Sequence, residues 1–391
     1  MLKKPKLSFW QILNMNVGFF GIQYSFGLQQ SAVTPIYDFL GASPDQIPIL
    51  HLAGPVTGLI VQPLVGALSD KTWHPKLGRR KPFFLIGAIL CSIALLAFPF
   101  SSSLWMAAGL LWILDAGNNT AMEPYRALIA DKLSEEQQPL GFQMQSFFTG
   151  FGQTLANLSL FIFPLIIVGT TGSLPSWVYA SFFLGSICSI GSILWSMSKT
   201  KEDPPTKEEL ELIRSNDKGI FHPLLEIIEA IKDMPKVMWQ LALVYLFQWY
   251  ALFCYWQNSS KSVALSVWNA TPSSNPDAYA EAVGWTGLIN GWYNIITFLV
   301  AFGLVYLTKK IKPKHVHAIC LLVAASGFVA FPIIENKNLL FVAITGFGIG
   351  WASMMGIPYL IVVSDIPKER YGVYMGIINM MIVIPMIIQT L

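Results

Sequence analysis

The chain is short of charge. Only 12% of its 391 residues are Asp, Glu, Lys or Arg, about half the share of a soluble domain, while 54% are hydrophobic. A soluble protein of this size would have to cover its outside with apolar side chains. The deficit therefore excludes a soluble fold and puts the chain in a bilayer, in keeping with a mean hydropathy of +0.53. Cysteine is scarce too. Cys91, Cys188, Cys254 and Cys320 stand singly in apolar surroundings, with no Cys-x-x-Cys pair, and read as small buried hydrophobes rather than disulfides or ligands. The five histidines form no HExxH or similar cluster, so no metal and no cofactor is expected. A nucleophile–base constellation is also missing, which argues against an enzyme. The glycine string Gly346-x-Gly348-x-Gly350 sits inside an apolar run without a preceding strand, so it suits close helix packing rather than a nucleotide loop.

What is present is a series of long apolar runs. Segments able to cross a hydrocarbon core of about 30 Å fall near 10–38, 46–69, 83–100, 104–127, 140–168 and 177–197. A polar stretch follows, and then 237–258, 282–307, 316–334, 339–364 and 372–391. The basic-then-apolar start resembles a signal peptide but lacks a small-x-small site, and reads as an uncleaved first helix. Of the 25 Lys and Arg residues, only Lys261 and Lys337 fall on one side of the implied topology. The positive-inside rule then makes the other side, with the N-terminus, cytoplasmic. The expected organisation is an N-terminal bundle over 1–197, a cytoplasmic linker over 198–236 and a second bundle over 237–391. In the linker, Thr206 and Glu209 form a capping box opening a helix that Gly219 can close. After it, Phe221, Leu224, Leu225, Ile228, Ile231 and Met234 recur at helical spacing. That helix either lies on the membrane surface or packs on the protein's own cytoplasmic end.

The two halves echo each other. Pro124-Tyr125, Asp131 and Glu135 recur as Pro358-Tyr359, Asp365 and Glu369, each time running off a helix into a loop. Two six-helix halves related by an axis along the membrane normal are the major facilitator plan, by which helix 12 and part of helix 11 are absent from this chain. The fold class expected is thus all-α, in two six-helix bundles. The loop GALSDKTWHPKLGRRKPF (66–83) resembles the signature of that plan. There Asp70 and Asp131 can pair with Arg79, Arg80 and Lys81 as a gate lock.

Intramembrane charge is expensive and marks a pathway by default. On the fourth run Asp115, Asn119, Met122 and Arg126 fall at i, i+4, i+7 and i+11, one face of a helix. Arg126 lies roughly 16 Å below Asp115, at 1.5 Å per residue, so the two cannot pair. Glu123 and Arg126 instead suit a structural pair near the gate. A carboxyl group in apolar surroundings with no cation beside it takes up a proton more readily than one in water, which makes Asp115 the candidate proton-coupling acid. Amides and aromatics accompany it. Asn16, Gln23, Gln30 and Thr34 make a stripe on the first run. Gln143 and Gln153 follow on the fifth, Gln248, Trp249 and Tyr250 on the seventh, and Asn290, Trp292, Tyr293 and Asn294 on the eighth. Amides suit vicinal hydroxyls and aromatic faces suit sugar C–H faces, so the set suggests a neutral polyhydroxylated substrate. Amides also glue helices together, and single aromatics also anchor or fill.

The stretches GLQQSAVTPIYDFLG, HLAGPVTGLIVQPLVGALSD, KLGRRKPF and LDAGNNTAMEPYRALIAD resemble the sucrose–proton symporters of plants and their animal and bacterial relatives. That family is the glycoside–cation symporter branch of the major facilitators, and the resemblance is close over 28–142. It implies that Asp115 is the proton-coupling acid and that Gln29 belongs to the substrate site. Glu123-Pro124-Tyr125 departs from the less acidic plant pattern, which points to a different sugar. The expected function is proton-coupled symport of a neutral disaccharide, such as sucrose, maltose or a related glucoside. Gln23, Gln29, Gln30, Asn119, Gln153, Gln248, Trp249, Trp292 and Asn294 are its candidate ligands, and Asp70, Arg79, Arg80, Glu123, Arg126 and Asp131 its gate. The partners are then a small sugar, protons and lipid, and not nucleic acid. The chain is expected to be monomeric in a bacterial inner membrane. Na⁺ coupling, export of another solute and a non-transporting sugar receptor are the alternatives.

Overall fold

The computed structural model describes residues 4–43, 46–171, 174–206, 208, 210, 211, 222–271 and 274–390. Eleven long helices dominate these residues. They are α1 (Phe9–Phe39), α2 (Ala53–Asp70), α3 (Lys81–Ala97), α4 (Leu104–Lys132), α5 (Gln138–Ile166) and α6 (Ser176–Lys199) in the first half. The second half has α7 (Lys236–Trp268), α8 (Pro276–Lys310), α9 (Pro313–Ala330), α10 (Leu340–Val363) and α11 (Tyr371–Thr390). Among the described residues, seven of them, α3 and α6 to α11, include spans long and apolar enough to cross a membrane. The other four, α1, α2, α4 and α5, carry the buried Asn16, Gln62, Asp115 and Gln145, which dilute their hydropathy.

The apolar runs fix these helices, but local chemistry sets their ends. The second run, expected to be one helix, is broken into a turn at Ile47–Leu50 and then α2. Pro55 explains the break, because it has no N–H for the carbonyl of His51 and its ring would clash there. The next two departures lengthen helices. Helix α7 runs on to Trp268, where Asn269 closes it in the left-handed conformation at φ 47°. Helix α8 starts early because the Asn275 side chain accepts from the Ala278 N–H and Pro276 stands at its first position. The all-α expectation has one small exception. Between α5 and α6, β1 (Thr170–Thr171) pairs antiparallel with β2 (Leu174–Pro175).

The halves meet mainly along α2 with α11 and α5 with α8 and α10. The loops at the Asp70 end of α2 hold the basic residues, and we call it the basic end. Backbones approach closely there: a Cβ on Gly66 would lie 2.2 Å from the Gly372 carbonyl oxygen. The seam continues upward through Gly376 against Pro63 to Gly58 against Val383, roughly 18 Å above Asp70 along α2. On the other flank the rings of Phe147 and Phe151 meet Phe298, and that of Phe142 meets Tyr359.

A linker helix, His222–Lys232, straps across the basic end. Its Glu226 pairs with Lys71 beyond α2 at 2.6 Å, and Glu229 and Asp233 face Arg370 before α11 at 3.8 and 3.4 Å. Ile227 and Ala230 are buried while Leu225 and Ile228 are exposed. The helix thus packs on the protein and keeps an apolar edge outward. Most of the charged helix expected between Thr206 and Gly219 lies outside the described residues.

Replacing Gly66 by Leu should force α2 and α11 apart, at a cost on the order of 1–3 kcal/mol for overpacking. The expected outcome is a longer spin-label distance between His74→Cys and Lys368→Cys in the Gly66→Leu background. An unchanged distance would mean that the close approach does not hold the halves together.

Candidate functional site

At the basic end the gate is built around one guanidinium. Arg80 is 0% exposed and sits at the start of α3. Its Nη2 lies 2.6 Å from Asp70 Oδ1, its Nε donates to Asp131 Oδ2 at 2.8 Å, and its Nη1 donates to Ser69 Oγ. Asp70 does a second job across the halves. Its Oδ1 and Oδ2 accept from the backbone N–H groups of Gly372 and Val373, both at 3.0 Å. Those are orphan donors of the first turn of α11, where the helix dipole also favours an anion. Spacing alone shares the two acids among Arg79, Arg80 and Lys81. Instead Arg80 alone pairs with both, because its planar fork reaches two acceptors at once. Arg79 and Lys81 give their backbone N–H groups to Glu202, which caps α3. Glu202 escaped the sequence reading, since nothing in its polar neighbourhood singles it out.

About two turns above the end of α4, a second buried polar knot crosses the halves. Arg126 Nη1 donates to Asn379 Oδ1 of α11 at 2.8 Å and meets the Tyr359 hydroxyl of α10, with its guanidinium 4.1 Å from the ring centroid. Asn379 Nδ2 donates to Glu123 Oε1 at 2.6 Å. The direct Glu123–Arg126 contact is long, 3.5 Å. The repeated Pro-Tyr pair has diverged. Tyr125 stays within its own half, bonding Met15, Gly18 and Ser196, while Tyr359 reaches into the other half.

Further up α4, Asp115 is 1% exposed. Gln29 Nε2 of α1 donates to its Oδ1 at 2.8 Å, and its Oδ2 is buried with no hydrogen-bond partner. Gly54 of α2 leaves the carboxylate room: a Cβ there would lie 3.8 Å from Oδ2. One turn below, Asn119 donates to Thr57 Oγ1 at 2.9 Å and accepts from Gln62 at 2.5 Å. Asn118 is turned to Ser25 and Cys91. Among the described residues, no ion pair of Asp115 occurs.

In the second half, Trp249 meets Trp351 edge to face at 5.6 Å, and Trp351 meets Trp256 at 5.5 Å. The indole nitrogens of Trp249 and Trp351, the Tyr245 hydroxyl and both amide atoms of Gln248 are buried without partners. Buried polar groups are rarely left so, which makes this group a candidate ligand surface.

The sequence profile of the Major Facilitator Superfamily matches residues 15–390. The chain belongs to that superfamily. It is a multi-pass membrane transporter and not an enzyme. The sucrose transport protein SUT5 of Oryza sativa is 23% identical over 438 aligned residues, covering 95% of this chain and 79% of that protein. The sucrose transport protein SUC3 of Arabidopsis thaliana is 36% identical over 140 residues, 30% of this chain and 23% of its own length. Among solved structures, the transporter FucP in its outward conformation superposes with a TM-score of 0.67 at 16% identity, over 98% of this chain and 90% of its own. The human organic anion transporter MFSD10 gives 0.63 at 14%, over 97% and 92%. These two likenesses concern the fold alone.

Within this major facilitator the expected ligands are scattered. Gln29 and Asn119 gather near Asp115, and Gln23 and Gln153 bond each other at 3.1 Å. Gln30, chosen with Gln23 by its spacing of seven, is exposed. Thr34's side chain lies outside the described set. Asn294 is buried beside Gly150, with its amide donating to Asn290. Trp292 departs most: it is 36% exposed and its indole N–H is held by Thr345 of α10 at 2.9 Å. Trp351 and Trp256 were missed; the spacing of seven between Trp249 and Trp256 was the available signal.

Arg80→Met removes the one cation between two acids. Leaving a buried charge unpaired costs about 3–5 kcal/mol, so the variant should melt at a markedly lower temperature in detergent. Arg79→Met should melt as the unmodified protein does.

Proposed function

We propose that this transporter is a proton-coupled symporter of a neutral disaccharide, working by alternating access, with Asp115 as the coupling acid. The observation that carries the reading is the Asp115 carboxylate, buried and, among the described residues, bonded only by the neutral Gln29 amide, with one oxygen free for a proton. No opposite charge need be broken for it to gain or lose that proton. The sugar class draws support from the named function of the curated relatives and from the density of unpartnered amide and indole groups. The basic end is cytoplasmic under the positive-inside rule. With the halves pressed together there, the state is the one that accepts substrate from the outside.

Uptake of labelled sucrose and maltose into proteoliposomes, with and without an inward proton gradient, tests this. The unmodified protein should accumulate one of these sugars only with the gradient. Asp115→Asn should abolish accumulation while keeping sugar exchange. Gradient-driven accumulation by the variant would sink the mechanism, and a demand for Na⁺ in place of protons would replace the coupling ion.

Substitution inside the second-half cluster tests the ligand surface. Gln248→Leu should raise the half-saturating sugar concentration about tenfold or more, equivalent to ~1.4 kcal/mol. Trp292→Ala, whose indole serves Thr345, should change it less than about twofold, and the reverse order would move the site.

A further inference from the structure

Two carboxyl groups, not one, are buried along α4. Glu123 lies eight residues beyond Asp115, roughly 12 Å nearer the basic end, with Asn119 between them. It is 0% exposed, and its Oε2 has no partner. Its Oε1 is held chiefly by a neutral group from the other half, the Asn379 amide at 2.6 Å, while Arg126 stands back at 3.5 Å. Asn379 thus interposes itself: its nitrogen serves Glu123 and its oxygen accepts from Arg126. Among the described residues, the ionisable groups facing this pair are Arg126 itself, Tyr359 from α10 and Tyr245 from α7, and α11 offers only Asn379. Gln143, Gln145 and Ser146 of α5 are neutral and each keeps an unpartnered buried oxygen.

Resting on the symport reading above, we propose that Glu123 is a second proton-carrying group, the station from which the proton leaves toward the basic end. In the present closed arrangement a proton on Oε2 breaks no hydrogen bond, and Oε1 keeps its Asn379 donor. When the halves part at the basic end, α11 takes Asn379 away and α10 takes Tyr359. The Arg126 guanidinium then loses two partners and is free to close on Glu123. The O–H bond of the Glu123 acid breaks, the proton passes to entering water, and the carboxylate left behind pairs with Arg126. Proton release is thereby tied to opening, because the group that keeps guanidinium and carboxyl apart belongs to the other half. Among the described residues Asp115 has no cross-half partner of this kind, and it does not do this job.

The test uses the full chain in proteoliposomes with the sugar that it accumulates. Three quantities are measured: gradient-driven accumulation, sugar exchange at equal pH, and the dependence of downhill efflux on pH at the basic end. Glu123→Gln should keep exchange within about twofold, lose accumulation about tenfold or more, and make efflux insensitive to that pH. Glu123→Asp should restore coupling. Asn379→Leu, which leaves both charges in place, should move the efflux midpoint by about one pH unit or more, and it serves as the reading if Glu123→Gln does not fold. Accumulation by Glu123→Gln equal to that of the unmodified protein, or an unmoved midpoint in Asn379→Leu, overturns the proposal. If Asp115→Asn has lost accumulation in the same preparation, only the second station falls; if Asp115→Asn accumulates too, the symport reading itself is at fault.

Discussion

The buried guanidinium of Arg80 is the constraint on which the closed basic end depends. It would be costly to keep a charge out of water there unless its partners were fixed, and Asp70 and Asp131 fix it from α2 and the end of α4. With Asp70 held in place, its two oxygens point at the first turn of α11 and satisfy donors that belong to the other half. The contact between Gly66 and Gly372 follows, since only glycine lets the two backbones come so near. One guanidinium paired with two acids inside a half thus sets up the main seam between the halves.

Above that seam, charge thins out and is replaced by neutral polar groups. The Arg126 knot exchanges its ion-pair partner for an amide and a phenol from the other half. Higher still, Asp115 has, among the described residues, only an amide. The gradient runs from a cation held between two acids at the loop end to an acid deeper in that, among the described residues, has no ion pair. Low dielectric makes each of these contacts count for more than it would at a surface.

The halves are not equal in chemistry, although they repeat in sequence. The first buries amides and acids on α1, α2, α4 and α5, Asp115 among them. The second offers a wall of aromatic rings from α7 and α10 with unspent donors. The repeated Pro-Tyr shows how such divergence happens. One tyrosine packs inward and its twin reaches across, because only one half carries the arginine for it to meet.

By itself the sequence determined the class and the plan: low charge and long apolar runs dictate membrane helices, and the repeated Pro-Tyr, Asp and Glu reveal two related halves. It also picked out Asp115, because a charge in an apolar run is costly wherever it packs. Helix ends at His51, Asn269 and Asn275 were harder, since single prolines and asparagines override an apolar count. Partner choice was beyond it. Spacing put Gln30 with Gln23, yet Gln29 is the residue that reaches Asp115; Arg79 and Lys81 look as basic as Arg80, yet only Arg80 is buried between the acids. Asn379 is a lone amide in an apolar run, with no second polar residue near it to give it a face, and it becomes the bridge between Glu123 and Arg126 only when α11 lies against α4. Periodicity gives the face of a helix, but which face meets which neighbour, and at what height, is decided by how the helices pack.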